Sequence, residues 1–139
     1  MNYLLDTCVI SELVKKKPDP KVVNWIDAAE ESSLFLSAIT IGEIQKGIEK
    51  LPNSKRKTSL RQWLSGQLLA RFAGRIVAID TDVMLIWGQL AARLDQQGRP
   101  MPAVDSFIAA TALHGNFTLV TRNEDDFKYA GFSILNPWK

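Results

Sequence analysis

Short apolar runs alternate along the chain with longer stretches in which apolar residues recur every three or four positions. The runs fall at residues 3–5, 33–37, 75–79, 118–121 and 132–135, each the length of a short buried strand. Between them lie helical faces: Val9, Ile10, Leu13 and Val14; then Val22, Trp25, Ile26 and Ala29; then Ile41, Ile44, Ile48 and Leu51. Further on come Leu60, Trp63, Leu64, Leu68 and Phe72; then Val83, Ile86, Trp87, Leu90, Ala91 and Leu94; then Ile108, Ala109, Ala112 and Leu113. Residues suited to start helices precede these faces: Thr7, Asp19 before Pro20, Ser37 or Thr40, Ser54 and Asp80. Gly74 is placed to stop the fourth helix, and residues 124–127 read as a tight turn or short helix. Alternation of strand and helix predicts an α/β fold: a mostly parallel sheet of about five short strands with helices on both faces.

Composition narrows the class. The chain has 139 residues, which suits one domain over 1–139 with a real core. A formal charge of +2 does not by itself argue for nucleic acid. One cysteine, Cys8, forms no internal disulfide, and there is no signal-like or membrane-spanning apolar run. A cytoplasmic bacterial-type protein is the expectation, with no membrane partner.

Acidic residues then give the pattern a chemistry. Asp6 directly follows the first strand, at the edge where open α/β sheets place their ligands. Glu43 lies in the first turns of the third helix, Asp105 opens the helix after residues 97–102, and Asn123, Asp125 and Asp126 follow the fourth strand. Carboxylates gathered in one pocket repel one another unless a cation sits between them. Hard oxygen donors favour Mg²⁺, with Mn²⁺ as a substitute, and such a site activates water and neutralises phosphodiester charge. Taken singly, each acid is more often a cap or surface residue. Asp80 and Asp82 also follow a strand and read as caps of the next helix.

Four motifs in order tip the balance: Leu4-Leu5-Asp6-Thr7, Ser37-Ala-Ile-Thr-Ile-Gly-Glu43, Asp105-Ser-Phe-Ile-Ala-Ala-Thr-Ala112 and Val120-Thr-Arg-Asn123-Glu-Asp-Asp-Phe127. Together they resemble the signature of PIN-domain nucleases, and most closely the VapC-type toxin ribonucleases with their FitB-like branch. Phe72-Ala-Gly-Arg-Ile76 and Asn136-Pro-Trp138 add to the FitB-like look. The resemblance implies that Asp6, Glu43 and Asp105 hold the metal and that Asn123 stands at the family's fourth acidic position. Asn123 brings no charge, so Asp126, and less so Asp125, is a substitute there. Thr7 and Thr121 would support the acids through hydrogen bonds, and Arg122 would contact a phosphate. Cys8 stands where the family commonly has asparagine and reads as a small, half-buried residue. His114 has no place as a general base.

The resemblance further implies RNA hydrolysis leaving a 3′-hydroxyl and a 5′-phosphate, a homodimer or higher assembly, and a VapB-type antitoxin reaching operator DNA on the toxin's behalf. A groove between the early helices and the third-fourth helical hairpin, with Trp25 and Trp63, is the expected antitoxin seat; Trp87 reads as core or interface. Lys15 to Lys17 and the hairpin cluster Lys50, Lys55, Arg56, Lys57 and Arg61 are candidate RNA-backbone contacts. The alternative within the family is a chiefly regulatory, antitoxin-bound complex with little nuclease activity. Outside it, haloacid-dehalogenase enzymes need a second aspartate where Cys8 stands, and receiver domains need a paired acid upstream that is absent.

Overall fold

The computed structural model describes residues 1–139. Five strands, β1 (Tyr3–Leu5), β2 (Leu34–Ser37), β3 (Ile76–Val77), β4 (Thr118–Val120) and β5 (Ile134–Leu135), form one sheet in the order β3-β2-β1-β4-β5. Every pairing is parallel, as the alternation of strand and helix predicts. The chain builds outward from β1 through β2 to β3, then crosses back to β4 and β5. That reversal opens a crevice at the carboxyl ends of β1 and β4.

Strand periodicity sorts the two faces. Leu5, Leu34, Leu36 and Val120 face a core shared with Val9, Ile10, Ile44 and Phe72. It is covered by α1 (Thr7–Leu13), α2 (Pro20–Ala28), α3 (Ala38–Glu49) and α4 (Lys55–Trp63), which runs through a π-helical stretch (Leu64–Leu68) into α5 (Leu69–Arg71). Leu4 and Leu119 point the other way, onto Leu90, Leu94, Ile108, Ala109 and Ala112. Those residues belong to α6 (Thr81–Gln96) and α7 (Ala103–Gly115), and Phe127 joins them from α8 (Glu124–Phe127). No helix is long and apolar enough to cross a membrane.

Several details differ from the sequence reading. Asp6, not Thr7, caps α1, because its Oδ1 accepts from the Thr7 N–H at 2.8 Å. The third and fifth strands are shorter than predicted. β2 ends at Ser37, which turns away to cap α3 by accepting from the Ile39 N–H, so β3 has partners only at Leu36 and Ser37. On the fourth helix, Leu64, Leu68 and Phe72 are buried while Leu60 and Trp63 are half-buried. A spacing of four drifts about 40° per step on an ideal α-helix, and the wider π turn takes up that drift. Gly74 adopts φ +80°, ending the segment in the left-handed conformation that glycine alone takes without cost.

The basic hairpin is also partly structural. Lys57 is buried, and its Nζ donates to the carbonyls of Glu49 and Leu51 at 3.1 and 2.9 Å, closing the end of α3. Arg61 grips Glu49 with two hydrogen bonds, and Lys15 pairs with Glu12 at 2.9 Å. Lys57 therefore serves the fold, and Arg61 has an anionic partner on the surface.

A brace of charges ties α5 to the entry of β2. Arg71 holds both oxygens of Glu31, Arg75 reaches Oε2 at 2.8 Å, and both guanidiniums lie over the Phe72 ring. These cations hold the Glu31 carboxyl down at about 2, below its ordinary 4.5. A depressed carboxyl stabilises the fold above its unfolded value and loses that contribution as pH falls through the folded one. Denaturant titrations of wild type and Glu31→Gln should therefore differ at pH 7 by no more than ~1 kcal/mol, because the pair is half exposed, and the gap should close between about pH 4.5 and 2.

Candidate active site

The carboxyl end of β1 sets the first acid. The β1–β4 ladder continues one step past the strands, with the Asp6 N–H donating to Val120 O at 2.9 Å. This puts Asp6 beside Thr121. Asp6 Oδ2 accepts from the fully buried Thr121 hydroxyl at 2.8 Å, and the Cys8 thiol stands 3.8 Å from the same oxygen. Both carboxyl oxygens thus have protein donors. Burial pushes the Asp6 pKa up, the bonds from Thr121 and the Thr7 N–H pull it back, and Glu43 repels it.

Glu43 arrives from the second turn of α3. Thr7 donates its hydroxyl to Glu43 Oε1 at 2.6 Å, with the Thr40 hydroxyl 3.2 Å from that of Thr7. Thr7 and Thr121 thus each donate a hydroxyl to one of these carboxylates. Thr40 was not expected; its burial on the site side of α3, three residues before Glu43, is the signal that sequence alone could not supply.

Asp105 lies in the first turn of α7, where the helix dipole favours ionisation. Its surroundings override that preference. Burial and then the charges of Asp6, Asp126 and Glu43 raise it from 3.8 to about 6. Asp105 thus feels three other acids, each from a separate segment. Asp126 is the charge from the fourth segment that Asp105 feels. Asn123 is exposed, its side chain caps nothing, and its backbone N–H donates to Thr121 Oγ1 at 3.0 Å. No three acids stand close enough together to form a ready metal cage.

The remaining candidates sort clearly. Arg122 lies over the Trp138 ring at 5.2 Å, which sets it against the chain's last residues. Cys8 is held protonated: burial first, and Asp6 second, push its thiol up. His114 is exposed in the last turn of α7. Asp80 caps α6 through the Val83 N–H, as expected of a cap. Trp87 lies on the α6–α7 seam, stacked on Phe107 and donating to Ser106 Oγ at 2.8 Å.

Two grooves run out from Glu43. One, of about 290 Å³, passes between α1, α3 and α4 over Ile10, Val14, Ile48, Leu60 and Trp63, rimmed by Lys15 and Arg56. Trp63 lines it as expected, whereas Trp25 packs edge-on against Tyr3 at 5.0 Å and takes no part. The second, of about 460 Å³, follows the exposed side of α3 from Glu43 over Gly42 and Gly47 to Lys46 and Lys50, with Val104 opposite. Nothing stands within 4 Å of where a Cβ on either glycine would be, so its floor is open.

A parallel sheet with the order 3-2-1-4-5 and acids from four segments at its switch point defines a PIN domain, and the chain belongs to that family, whose model matches residues 3–133. Within it the chain falls among the VapC and FitB toxins. It is 40% identical over 136 residues to the VapC ribonuclease Y4jK of Sinorhizobium fredii, covering 98% of this chain and 97% of that one. It is 38% identical over 135 residues to toxin FitB of Neisseria gonorrhoeae, covering 97% of each. Its fold superposes with a TM-score of 0.94, at 37% identity over 99% of this chain and 96% of the other, on a chain of FitAB bound to an IR36 DNA fragment.

Removing one charge from the crowded pocket should relieve it. Asp105→Asn in EDTA at pH 7 is expected to raise the thermal midpoint by about 4 °C, or ~1 kcal/mol. An unchanged or lower midpoint in differential scanning fluorimetry would count against the repulsion.

Proposed function

We propose that residues 1–139 act as one PIN domain, a divalent-metal-dependent endoribonuclease toxin that hydrolyses RNA phosphodiester bonds. The observation that carries this reading is the convergence at the sheet's switch point of Asp6, held by the Thr121 hydroxyl, and Glu43, held by the Thr7 hydroxyl, near Asp105, whose carboxyl is raised by burial and by the charges of Asp6, Asp126 and Glu43. The donor set fits a hard divalent cation, being all oxygen and under a repulsion that such a charge relieves. Asp6, Glu43 and Asp105 are the ligands in this reading, with Mg²⁺ the natural ion and Mn²⁺ a substitute. Asp126 takes the fourth place and Asn123 flanks it. Bound there, the ion would neutralise charge on the phosphodiester and activate water.

The chain's own residues supply the rest. Thr121 and the Thr7 N–H hold Asp6, and the Thr7 hydroxyl holds Glu43, so both carboxylates are oriented before any ligand arrives. Lys46 and Lys50 line the open groove along α3 and are placed to meet backbone phosphates leading to Glu43. Lys46 was not among the basic residues singled out from the sequence. Arg122, steadied by Trp138, flanks the Asn123 side.

The partners are inferred from the relatives. A VapB-type antitoxin is the proposed partner, its apolar segment in the groove that ends at Thr7 and Glu43, with operator DNA reached only through it. A homodimer is the proposed toxin state. A chiefly regulatory complex with little nuclease activity is the second reading, supported by the DNA-bound FitAB relative.

The deciding experiment is cleavage of structured RNA by antitoxin-free protein with Mg²⁺. Asp6→Asn and Glu43→Gln should each lower the rate by about 100-fold or more, the scale of losing one charge-stabilising group. Asp126→Asn should lower it more than Asn123→Ala. Wild type that leaves RNA intact, or equal rates in Asp6→Asn, would remove the nuclease reading. Mg²⁺ should also raise the melting temperature of wild type but not of Asp105→Asn, a readout independent of turnover.

The α3 groove carries its own test. Replacing Lys46 and Lys50 together by Gln should weaken RNA binding and flatten the plot of log K against log salt by about 0.7 for each lost phosphate contact. An unaltered slope would place the RNA elsewhere.

A further inference from the structure

We propose that the turn at residues 136–139 is a platform that positions Arg122 for a phosphate of the RNA, with Asn136 and Trp138 as the positioning residues. The inference rests on the ribonuclease reading and deepens it.

The turn follows from its residue types. Asn and Pro favour the first two places of a β-turn, and here the Lys139 N–H closes it on the Asn136 carbonyl at 3.3 Å. Asn136 Oδ1 also accepts from the Trp138 N–H at 2.9 Å, so side chain and main chain fix the same bend. The turn is then tied to the fourth segment of the site. The β4–β5 ladder runs one step past the strands, with the Thr121 N–H donating to Leu135 O at 3.0 Å, so the turn begins beside Thr121. Asn136 Nδ2 donates to Glu124 Oε2 at 2.9 Å, and Lys139 Nζ meets the same oxygen at 2.7 Å. Both ends of the turn thus hold the first residue of α8.

Between these ties lies Arg122. Trp138 is half-buried against the core that Leu5 and Val120 face, and the Arg122 guanidinium lies over its ring at 5.2 Å. Arg122 is exposed and pairs with no carboxylate, unlike Arg61, Arg71 and Arg75. A guanidinium over an aromatic face keeps N–H groups free at its edge, and that planar fork of donors suits phosphate oxygens. Held against an anchored ring, it also loses less freedom when an anion binds.

Position makes that anion a phosphate near the scissile bond. Arg122 directly follows Thr121, whose hydroxyl holds Asp6. With Asn123 and Asp126 it lines a polar groove of about 350 Å³, and Asp126 is one of the charges that Asp105 feels. The groove's other acids are met by cations, Glu124 by Lys139 and Asp125 by Lys128 at 3.6 Å. The sheet order sets α3, after β2, and α8, after β4, on either side of β1 and Asp6. A strand of RNA crossing the acids therefore leaves Lys46 and Lys50 at the Glu43 end and meets Arg122 at the Asp126 end.

The test is a double-mutant cycle on Asp6→Asn protein, read by fluorescence anisotropy as binding of a labelled single-stranded RNA over a range of salt. Arg122→Ala should weaken binding about 10-fold and flatten the plot of log K against log salt by about 0.7, one phosphate contact. Trp138→Leu should cost about 2- to 5-fold, the range for an exposed cation–π contact, while Trp138→Phe keeps most of the affinity. With Arg122→Ala already present, Trp138→Leu and Asn136→Ala should cost nothing more, a coupling that a merely structural role does not produce. Melting curves verify that each variant is folded; if Trp138→Leu is not, Asn136→Ala, which removes no core atom, completes the cycle. Unchanged affinity and slope in Arg122→Ala, no loss in the folded turn variants, or a loss that persists without Arg122 overturns the platform even if the wild type cleaves. An Arg122-dependent slope coupled to the turn, in a protein whose wild type cuts nothing, overturns the nuclease reading and leaves the platform standing.

Discussion

Most of this structure depends on the parallel pairing of β1 with β4. The two strands come from opposite ends of the chain, and their register, Leu4 on Leu119 and Leu5 on Val120, brings the residues just beyond them side by side. Asp6 and Thr121 meet because the ladder runs one residue past the strands. A slip of one residue would turn Leu4 and Leu5 to the wrong cores and separate the carboxylate from its hydroxyl. Packing and site geometry are therefore one constraint, enforced by two apolar cores on opposite faces of a three-residue strand.

Around that pairing the pocket balances two opposed effects. Hydrogen bonds from threonine hydroxyls and a helix N–H favour the charged form of Asp6, while burial and neighbouring acids disfavour it. At Asp105 no such bonds intervene, and desolvation with three like charges outweighs the helix dipole, whose effect at a helix end is only about 0.3–1 kcal/mol. The acids sit on four different segments, so the fold as a whole, not local structure, supports their closeness. This is how stability is commonly given up at a functional site.

Much of this was legible in the sequence, for identifiable reasons. Runs of three to five apolar residues passing at once into helical periodicity leave few alternatives to a parallel sheet, and Asp6, Glu43 and Asp105 each sit where an element begins or ends. Features set by tertiary packing were harder to read. Whether Thr7 or Asp6 caps α1 depends on one dihedral angle, and both residue types cap helices well. Lys57 looked like a surface cation because burial against the end of α3 leaves no trace in charge or spacing. Residue type and spacing do not separate Asn123 from Asp126, because the direction α8 takes after Thr121 is set by tertiary packing.

Cys8 has a consequence for handling the molecule. It is the only thiol in the chain, and burial together with the adjacent Asp6 charge keeps it in the unreactive protonated form. Alkylating reagents attack the thiolate, so at neutral pH a cysteine introduced on an exposed helix face outcompetes the native one. The natural sequence is thus already a near-silent background for attaching a single fluorophore or spin label, with the residue beside Asp6 left as it is.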